Sequence, residues 1–273
     1  MSLALVLTVP GSETELAADA LWALGVLAVE ERGGDGPEDH FVELWTSLGD
    51  DAASVTAAAE GFPARWRWRL VDVDDSVADA WRAHAGATWV ADDLVIVPAW
   101  LDVDTAGARA VHIEPGAAFG LGNHPTTVAT IRAMCTALFD GAVVLDVGCG
   151  SGVLGIVACV LGAARVEAID ISPAAVSATQ DNAARNGVAG RVHPSTTPIG
   201  EVDGSFDVIV ANVLAPTLIE MSADLRRLLA PAGVLVISGV LADRYDHVVD
   251  ALAPLQVIDV DRLEGWAAVS LRA

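Results

Sequence analysis

The sequence predicts an α/β protein in which a doubly wound sheet follows a small α+β unit. Three observations carry that reading. A hydrophobic strand (142–145) enters Asp146-Val147-Gly148-Cys149-Gly150-Ser151-Gly152, an apolar helical run (153–163) follows, and a second strand (166–170) ends on Asp170. Strand and helix then alternate regularly to the end of the chain. The first part, residues 1–71, instead follows the order β-α-β-β-α-β.

In that first part, residues 3–9 read as a strand, and a helix is expected to open at 11–14 and run to 24 with Ser12 as its N-cap. Residues 28–31 and 41–45 read as a strand pair around Gly33-Gly34-Asp35-Gly36-Pro37. A short helix is expected over 52–60, and Trp66-Arg67-Trp68-Arg69-Leu70 alternates as a strand does. Together they make a small ferredoxin-like domain, a fold that by itself says nothing about chemistry. Residues 72–75 are an acidic break, and 76–85 read as a helix with Asp79 and Arg82 spaced to pair. A short strand at 94–97 precedes Pro98. The segment 72–100 is expected to be a connecting arm, and 101–116 a long irregular lead into the second domain, 101–273.

Within that domain a helix starts near Val128, and another spans 173–186, closed by Gly187. Short strands fall at 191–193 and 206–211. A helix over 216–229 ends at the turn Pro231-Ala232-Gly233, before a strand at 234–238 and a helix at 241–253. Residues 255–260 and 266–271 close the sheet as a hairpin. Seven strands with a terminal hairpin is the Rossmann-like architecture of class I methyltransferases, not the six-stranded dinucleotide-binding one.

Length and composition agree with two folded domains: 273 residues, 53% hydrophobic. No apolar run reaches the roughly 20 residues a spanning helix needs, and Met1-Ser2-Leu3-Ala4-Leu5 shows no secretory signal. Cys135, Cys149 and Cys159 fit no metal spacing, so a reduced cytoplasmic protein without a metal or a membrane is expected. Net charge is −22, and all 15 basic residues are arginine. Such a chain repels nucleic-acid phosphate, so no direct nucleic-acid binding is expected, and it can steer a basic partner inward. Coding bias or adaptation to salt gives the same composition, and absence of lysine would also spare a lysine-modifying enzyme from itself. The tryptophans at 22, 45, 66, 68, 81, 89 and 100 read as packing and domain contacts, because a stacking platform for nucleic acid would want basic neighbours.

The chemistry rests on three clusters. In the glycine turn, glycines alternate at 148, 150 and 152 behind an acid, which is not the dinucleotide fingerprint. A carboxylate beside the turn repels a pyrophosphate and attracts the ammonium of a methionine moiety, which points to S-adenosylmethionine rather than a nicotinamide cofactor. Asp170, at the end of the next strand, is placed to grip two ribose hydroxyls. In the second cluster, Phe119-Gly120-Leu121-Gly122-Asn123-His124-Pro125-Thr126-Thr127, hydroxyls and amides can meet a ligand, or the segment is an ordinary loop before a capped helix; spacing alone does not separate the two. His124 reads as a structural residue or a substrate contact rather than a metal ligand. The third is Asn212-Val213-Leu214-Ala215, directly after a strand. There an asparagine can offer its carbonyl to an amine, or can simply turn the chain.

Taken together these clusters resemble the PrmA family, methyltransferases that modify the eleventh protein of the large ribosomal subunit. The resemblance covers essentially the whole chain, is strongest over 114–127, 144–188 and 206–217, and takes in Trp81 and Val97-Pro98-Ala99-Trp100. It implies a catalytic domain that methylates lysine side chains and the N-terminal amine, and an N-terminal domain that holds the ribosomal protein. By position, Thr127, Gly148, Asp170 and Asn212 match the cofactor site, Phe119 would lie against the cofactor, and Asp146 near its methionine end; Gly150 of the glycine turn is also expected to bind it. Asn212 would also orient the acceptor amine as the catalytic residue. One departure stands out: the family pattern Phe-Gly-Thr-Gly-Thr-His has Leu121 and Asn123 here in place of its threonines. Three alternatives remain at this point: another protein or small-molecule amine as acceptor, a cofactor-binding protein without turnover, and a nicotinamide dehydrogenase, which Asp146 and the glycine spacing disfavour.

Overall fold

The computed structural model describes residues 2–22, 29–33, 41–47, 56–57, 59–73, 85–114 and 120–273. The chain divides into two compact units, Met1–Ala85 and Gly86–Ala273. The expected helix over 76–85, including Trp81, and the candidate Phe119 lie outside the described residues but for Ala85.

In the first unit, β1 (Ser2–Pro10), β2 (Val29–Gly33), β3 (Phe41–Ser47) and β4 (Arg67–Val73) form an antiparallel sheet in the order β2-β3-β1-β4. Helix α1 (Thr14–Trp22) connects β1 to β2, and Thr56, Ala57 and Ala59 are helical between β3 and β4. This is the expected ferredoxin-like order, with β1 inserted between β3 and β4. Leu5, Leu7 and Val9 alternate onto one face and pack with Ala17, Leu21, Leu44, Ala59 and Trp66. Ser12 does not cap α1: it sits within a 3-10 turn, Gly11–Glu13, that follows Pro10. Glu13 instead ties that turn down, accepting from Trp66 Nε1 at 2.7 Å and Arg65 Nε at 2.8 Å.

The second unit begins with β5 (Thr88–Ala91) and β6 (Leu94–Pro98), an antiparallel hairpin. β7 (Arg109–Ile113) then lies parallel to β6, inside the stretch read from the sequence as irregular. Residues 86–100, expected to belong to a connecting arm, are part of this unit. The main sheet has the order β10-β9-β8-β11-β12-β14-β13. Its parallel strands are β8 (Val143–Val147), β9 (Arg165–Ile169), β10 (Val192–Ser195), β11 (Phe206–Asn212) and β12 (Leu229–Leu241). The hairpin of β13 (Gln256–Leu263) and β14 (Trp266–Arg272) completes it, β14 running antiparallel to β12. Seven strands with a terminal hairpin is the architecture expected.

Helices α2 (Pro125–Ala137), α3 (Val153–Val160) and α4 (Pro173–Arg185) follow the glycine-rich loop, β8 and β9. The apolar residues of α3 pack both with Ile96, Val111 and Ile113 of the small sheet and with Val144, Val166 and Val208 of the large one. A helix packed on both sides has no solvent face, which is why its sequence is apolar all round. The opposite face of the main sheet is covered by α5 (Ala215–Glu220), α6 (Ser222–Leu228) and α7 (Asp246–Ala251), through Leu218, Leu225, Leu228 and Val248. The single helix expected over 216–229 is thus two, broken at Met221. The expected turn at 231–233 is an irregularity inside β12, where the register against β11 jumps from Phe206–Leu229 to Val208–Val234.

Candidate active site

Strand order reverses between β8 and β11: β9 and β10 extend the sheet one way, β11 and β12 the other. A crevice opens above the carboxyl ends of the strands at such a switch point. Asp146, Gly148 and Gly150 follow or end β8, Asp170 follows β9, and Asn212 ends β11, so the sequence candidates among the described residues converge there.

The glycine turn is shaped by backbone geometry that side chains resist. Gly148, Gly150 and Gly152 have φ of 72°, 55° and 80°. Gly148 and Gly150 stay partly open, while Cys149, Ser151 and Gly152 are buried. A Cβ on Gly148 would stand 2.5 Å from Val213 Cγ1, so only glycine lets the 212–214 segment close over the turn. The underside of the turn is held by α4. Thr179 Oγ1 donates to Gly150 O at 3.1 Å, and Asn182 Nδ2 donates to Ser151 O at 3.0 Å and to Glu114 O at 2.8 Å. Asn182 Oδ1 accepts from Glu114 N, and Asn186 makes the same paired contact with His112 N and O. These three residues were not among the sequence candidates. Their spacing of three and four along one helix was the available signal, a polar stripe on a face that buries Thr179 and Asn182.

Asp170 is half-buried and uses both carboxylate oxygens on backbone: Oδ2 accepts from Gly150 N and Oδ1 from Ser172 N, each at 2.9 Å. It thereby locks the turn and keeps further lone pairs for hydroxyl donors. The next residue, Ile171, is 97% exposed. A bare isoleucine beside a ribose-type carboxylate offers an apolar surface for a flat ring, and it too was missed from sequence.

Asp146 lies beneath the glycine turn. Its side chain is fully buried, with Oδ2 accepting from Gly155 N at 2.9 Å and Oδ1 without a hydrogen-bond partner among the described residues. Burial pushes its carboxyl up to about 7. Its hydrogen bond is with the start of α3, so it supports the turn from behind.

Asn212 Nδ2 donates to Thr126 Oγ1 at 3.2 Å and Thr127 Oγ1 at 3.4 Å, joining β11 to the first turn of α2. Both threonines are 4% exposed, so Thr127 meets Asn212 with its hydroxyl from within the fold. His124 caps α2, Nδ1 accepting from Thr126 N at 3.3 Å, and its ring meets Trp266 edge-on at 5.4 Å between centroids. Ser238 Oγ donates to Ala267 O at 2.9 Å and lies 3.4 Å from Thr126 O. Beside it Gly239 (φ 82°) comes so close that a Cβ would lie 2.4 Å from Val213 O. Leu121 is half-buried and Asn123 exposed, so neither replaced threonine position takes part in these hydrogen bonds.

The arrangement fits S-adenosylmethionine: a backbone turn open at two glycines for the methionine end, a carboxylate for ribose hydroxyls, and an exposed apolar residue for the base. The comparisons agree. A family model described as ribosomal protein L11 methyltransferase (PrmA) matches residues 47–273. The ribosomal protein L11 methyltransferase of Symbiobacterium thermophilum is 40% identical over 236 residues, covering 85% of this chain and 75% of that protein. That of Methylococcus capsulatus is 36% identical over 266 residues, 91% of this chain and 90% of that protein. The crystal structure of ribosomal protein L11 methylase from Lactobacillus delbrueckii subsp. bulgaricus matches with a TM-score of 0.64 at 33% identity, over 68% of this chain and 98% of that one. On the fold, the site and these relatives, the chain belongs to the ribosomal protein L11 methyltransferase (PrmA) family and is an S-adenosylmethionine-dependent methyltransferase.

Proposed function

We propose that this enzyme methylates amines of ribosomal protein L11, the lysine side chains and the N-terminal amine, with the 1–71 domain holding the protein substrate and Asn212 orienting the acceptor. The observation that carries the chemistry is Asn212, fixed at the end of β11 by two threonine hydroxyls and placed beside the glycine turn through Val213. The Methylococcus relative aligned over 91% of this chain supports the substrate, because so long a match includes most of the N-terminal unit.

The bound cofactor supplies an electrophilic methyl group on a sulfonium. The chain supplies the rest. Asp170 would hold the ribose, Ile171 would cover the base, and the Gly148–Gly150 backbone would carry the methionine end. A lysine amine has a pKa of about 10.4 and attacks only when neutral. Enclosing it in the crevice disfavours the ammonium, and a side-chain carbonyl at Asn212 takes an N–H and turns the lone pair toward the methyl. A net charge of −22 draws in a basic substrate. Leu121 and Asn123 lie outside the Asn212 network.

Intact mass of ribosomal protein L11 after incubation with the enzyme and S-adenosylmethionine tests the proposal. Catalytic gain of whole methyl units is expected, with peptide mapping placing them on lysines and the N-terminus. Unchanged mass, with cofactor binding verified by calorimetry, would refute the substrate. Retained labelling after deletion of residues 1–71 would refute the domain assignment.

A further inference from the structure

We infer that His124 is a positioning residue for methyl transfer: as a hydrogen-bond acceptor it sets the polarity of a chain through Thr126 that aims the Asn212 carbonyl at the acceptor amine. This rests on the amine-methylating role proposed for Asn212, and each link follows from which partner can donate. The Thr126 backbone N–H can only donate, and it points at His124 Nδ1 at 3.3 Å. Nδ1 therefore carries no proton. Thr126 Oγ1 stands 2.8 Å from the same nitrogen, so with Nδ1 unprotonated its single hydrogen turns there and shares the one lone pair with the backbone N–H. The hydroxyl is left only as an acceptor toward Asn212, 3.2 Å away, and the group that faces it must be the amide NH2. The second amide hydrogen goes to Thr127 Oγ1 at 3.4 Å. Both amide hydrogens are thus used, and Oδ1 is the end turned away from α2.

The elements around His124 keep it neutral. α2 presents the Thr126 hydroxyl, which the uncharged Asn212 of β11 meets on its other side, and β14 presents the Trp266 ring. The turn between β13 and β14 brings Glu264, the one charge among the described residues that acts on the ring, and it favours protonation. Burial opposes it more strongly and holds His124 below the ordinary histidine range. A proton added to Nδ1 would confront the Thr126 N–H with a second donor and reverse the hydroxyl, releasing the amide to turn over.

Three variants test the inference. His124→Phe keeps a ring against Trp266 and removes the acceptor. Its kcat for methylation is expected to fall about 10- to 100-fold, with affinity for S-adenosylmethionine changed less than about threefold. His124→Asn restores an acceptor at a position where asparagine caps well, and should recover most of the lost kcat. Asparagine does not titrate. On the acid side the slope of log kcat against pH should drop from about two, for His124 plus the amine, to about one in His124→Asn. Independently of turnover, 15N spectra of histidine-labelled protein should show His124 protonated on Nε2 alone, with Thr126→Val shifting Nδ1. A His124 protonated on Nδ1 near neutral pH would overturn the inference. So would His124→Phe retaining full kcat while folded and binding cofactor. If wild type methylated no L11, the functional proposal would fall, and the labelled-histidine spectra would still decide the polarity of the chain.

Discussion

Replacing Asp170 by asparagine changes one atom and should cripple cofactor binding. Both carboxylate oxygens accept backbone N–H groups at 2.9 Å, Oδ2 from Gly150 and Oδ1 from Ser172. An asparagine can keep only one of them. Whichever way the amide turns, its NH2 confronts a backbone N–H, so one charge-assisted bond is lost and a donor pair is pressed together. A hydrogen bond to a charged group contributes about 1.5–3 kcal/mol. That loss loosens the turn that must receive the methionine end, and it also removes a ribose acceptor. At about 1.4 kcal/mol per tenfold, the dissociation constant should rise about 10- to 150-fold. Calorimetry with S-adenosylmethionine and S-adenosylhomocysteine is the assay. Both share the ribose, so both should weaken by the same factor. Binding of both within about threefold of wild type would refute the ribose assignment. A loss confined to S-adenosylmethionine would move Asp170's role to the sulfonium end.

Asn212→Ala should lower kcat about 100-fold while changing cofactor affinity less than about fivefold; equal losses in both would make Asn212 a cofactor ligand only. Gly239→Ala should force the Val213 backbone to move, since its Cβ would lie 2.4 Å from Val213 O at a φ of 82°. A stability loss of about 1–3 kcal/mol with a tenfold or larger fall in kcat is expected, against no change for Gly190→Ala, where the added Cβ meets open space. Asp146→Asn reports on burial. The Asp146 carboxyl rises from an ordinary 3.8 to about 7 on folding, so the native state binds the extra proton and this group favours folding below about 4. That contribution is lost as pH climbs through 7, a cost of about 4 kcal/mol at 1.36 kcal/mol per pKa unit. Asparagine keeps an acceptor for Gly155 N without titrating. Denaturant midpoints should therefore favour Asp146→Asn increasingly from pH 5 to pH 8, and a constant difference would contradict the assignment.

What was legible in the sequence is what local rules dictate. The β8–glycine turn–α3–β9 segment was readable because positive φ demands glycine and a helix packed on both sides demands an apolar run. The seven strands and their closing hairpin followed from alternation. β7 was missed because only Val111 and Ile113 alternate inward, between partly exposed neighbours, and its pairing with β6 is non-local. Ser12 was misread because Glu13, reaching Arg65 and Trp66 more than fifty residues away, fixes the helix start instead. Asp146 shows the limit most clearly. Position ahead of a glycine turn says that a carboxylate is near a ligand, but not on which side of the turn it lies. The deciding residue is Gly155, whose N–H takes Asp146 Oδ2 and on which a Cβ would stand 3.2 Å from the same oxygen. A glycine inside an otherwise uniform apolar helix was therefore the readable sign that something must approach α3 from β8. Asn212 is the reverse case: its residue type and place were readable, yet its direction was not. Direction comes from a backbone N–H at Thr126 acting through a histidine and a hydroxyl, and no pattern of residue types encodes which end of an amide faces a ligand.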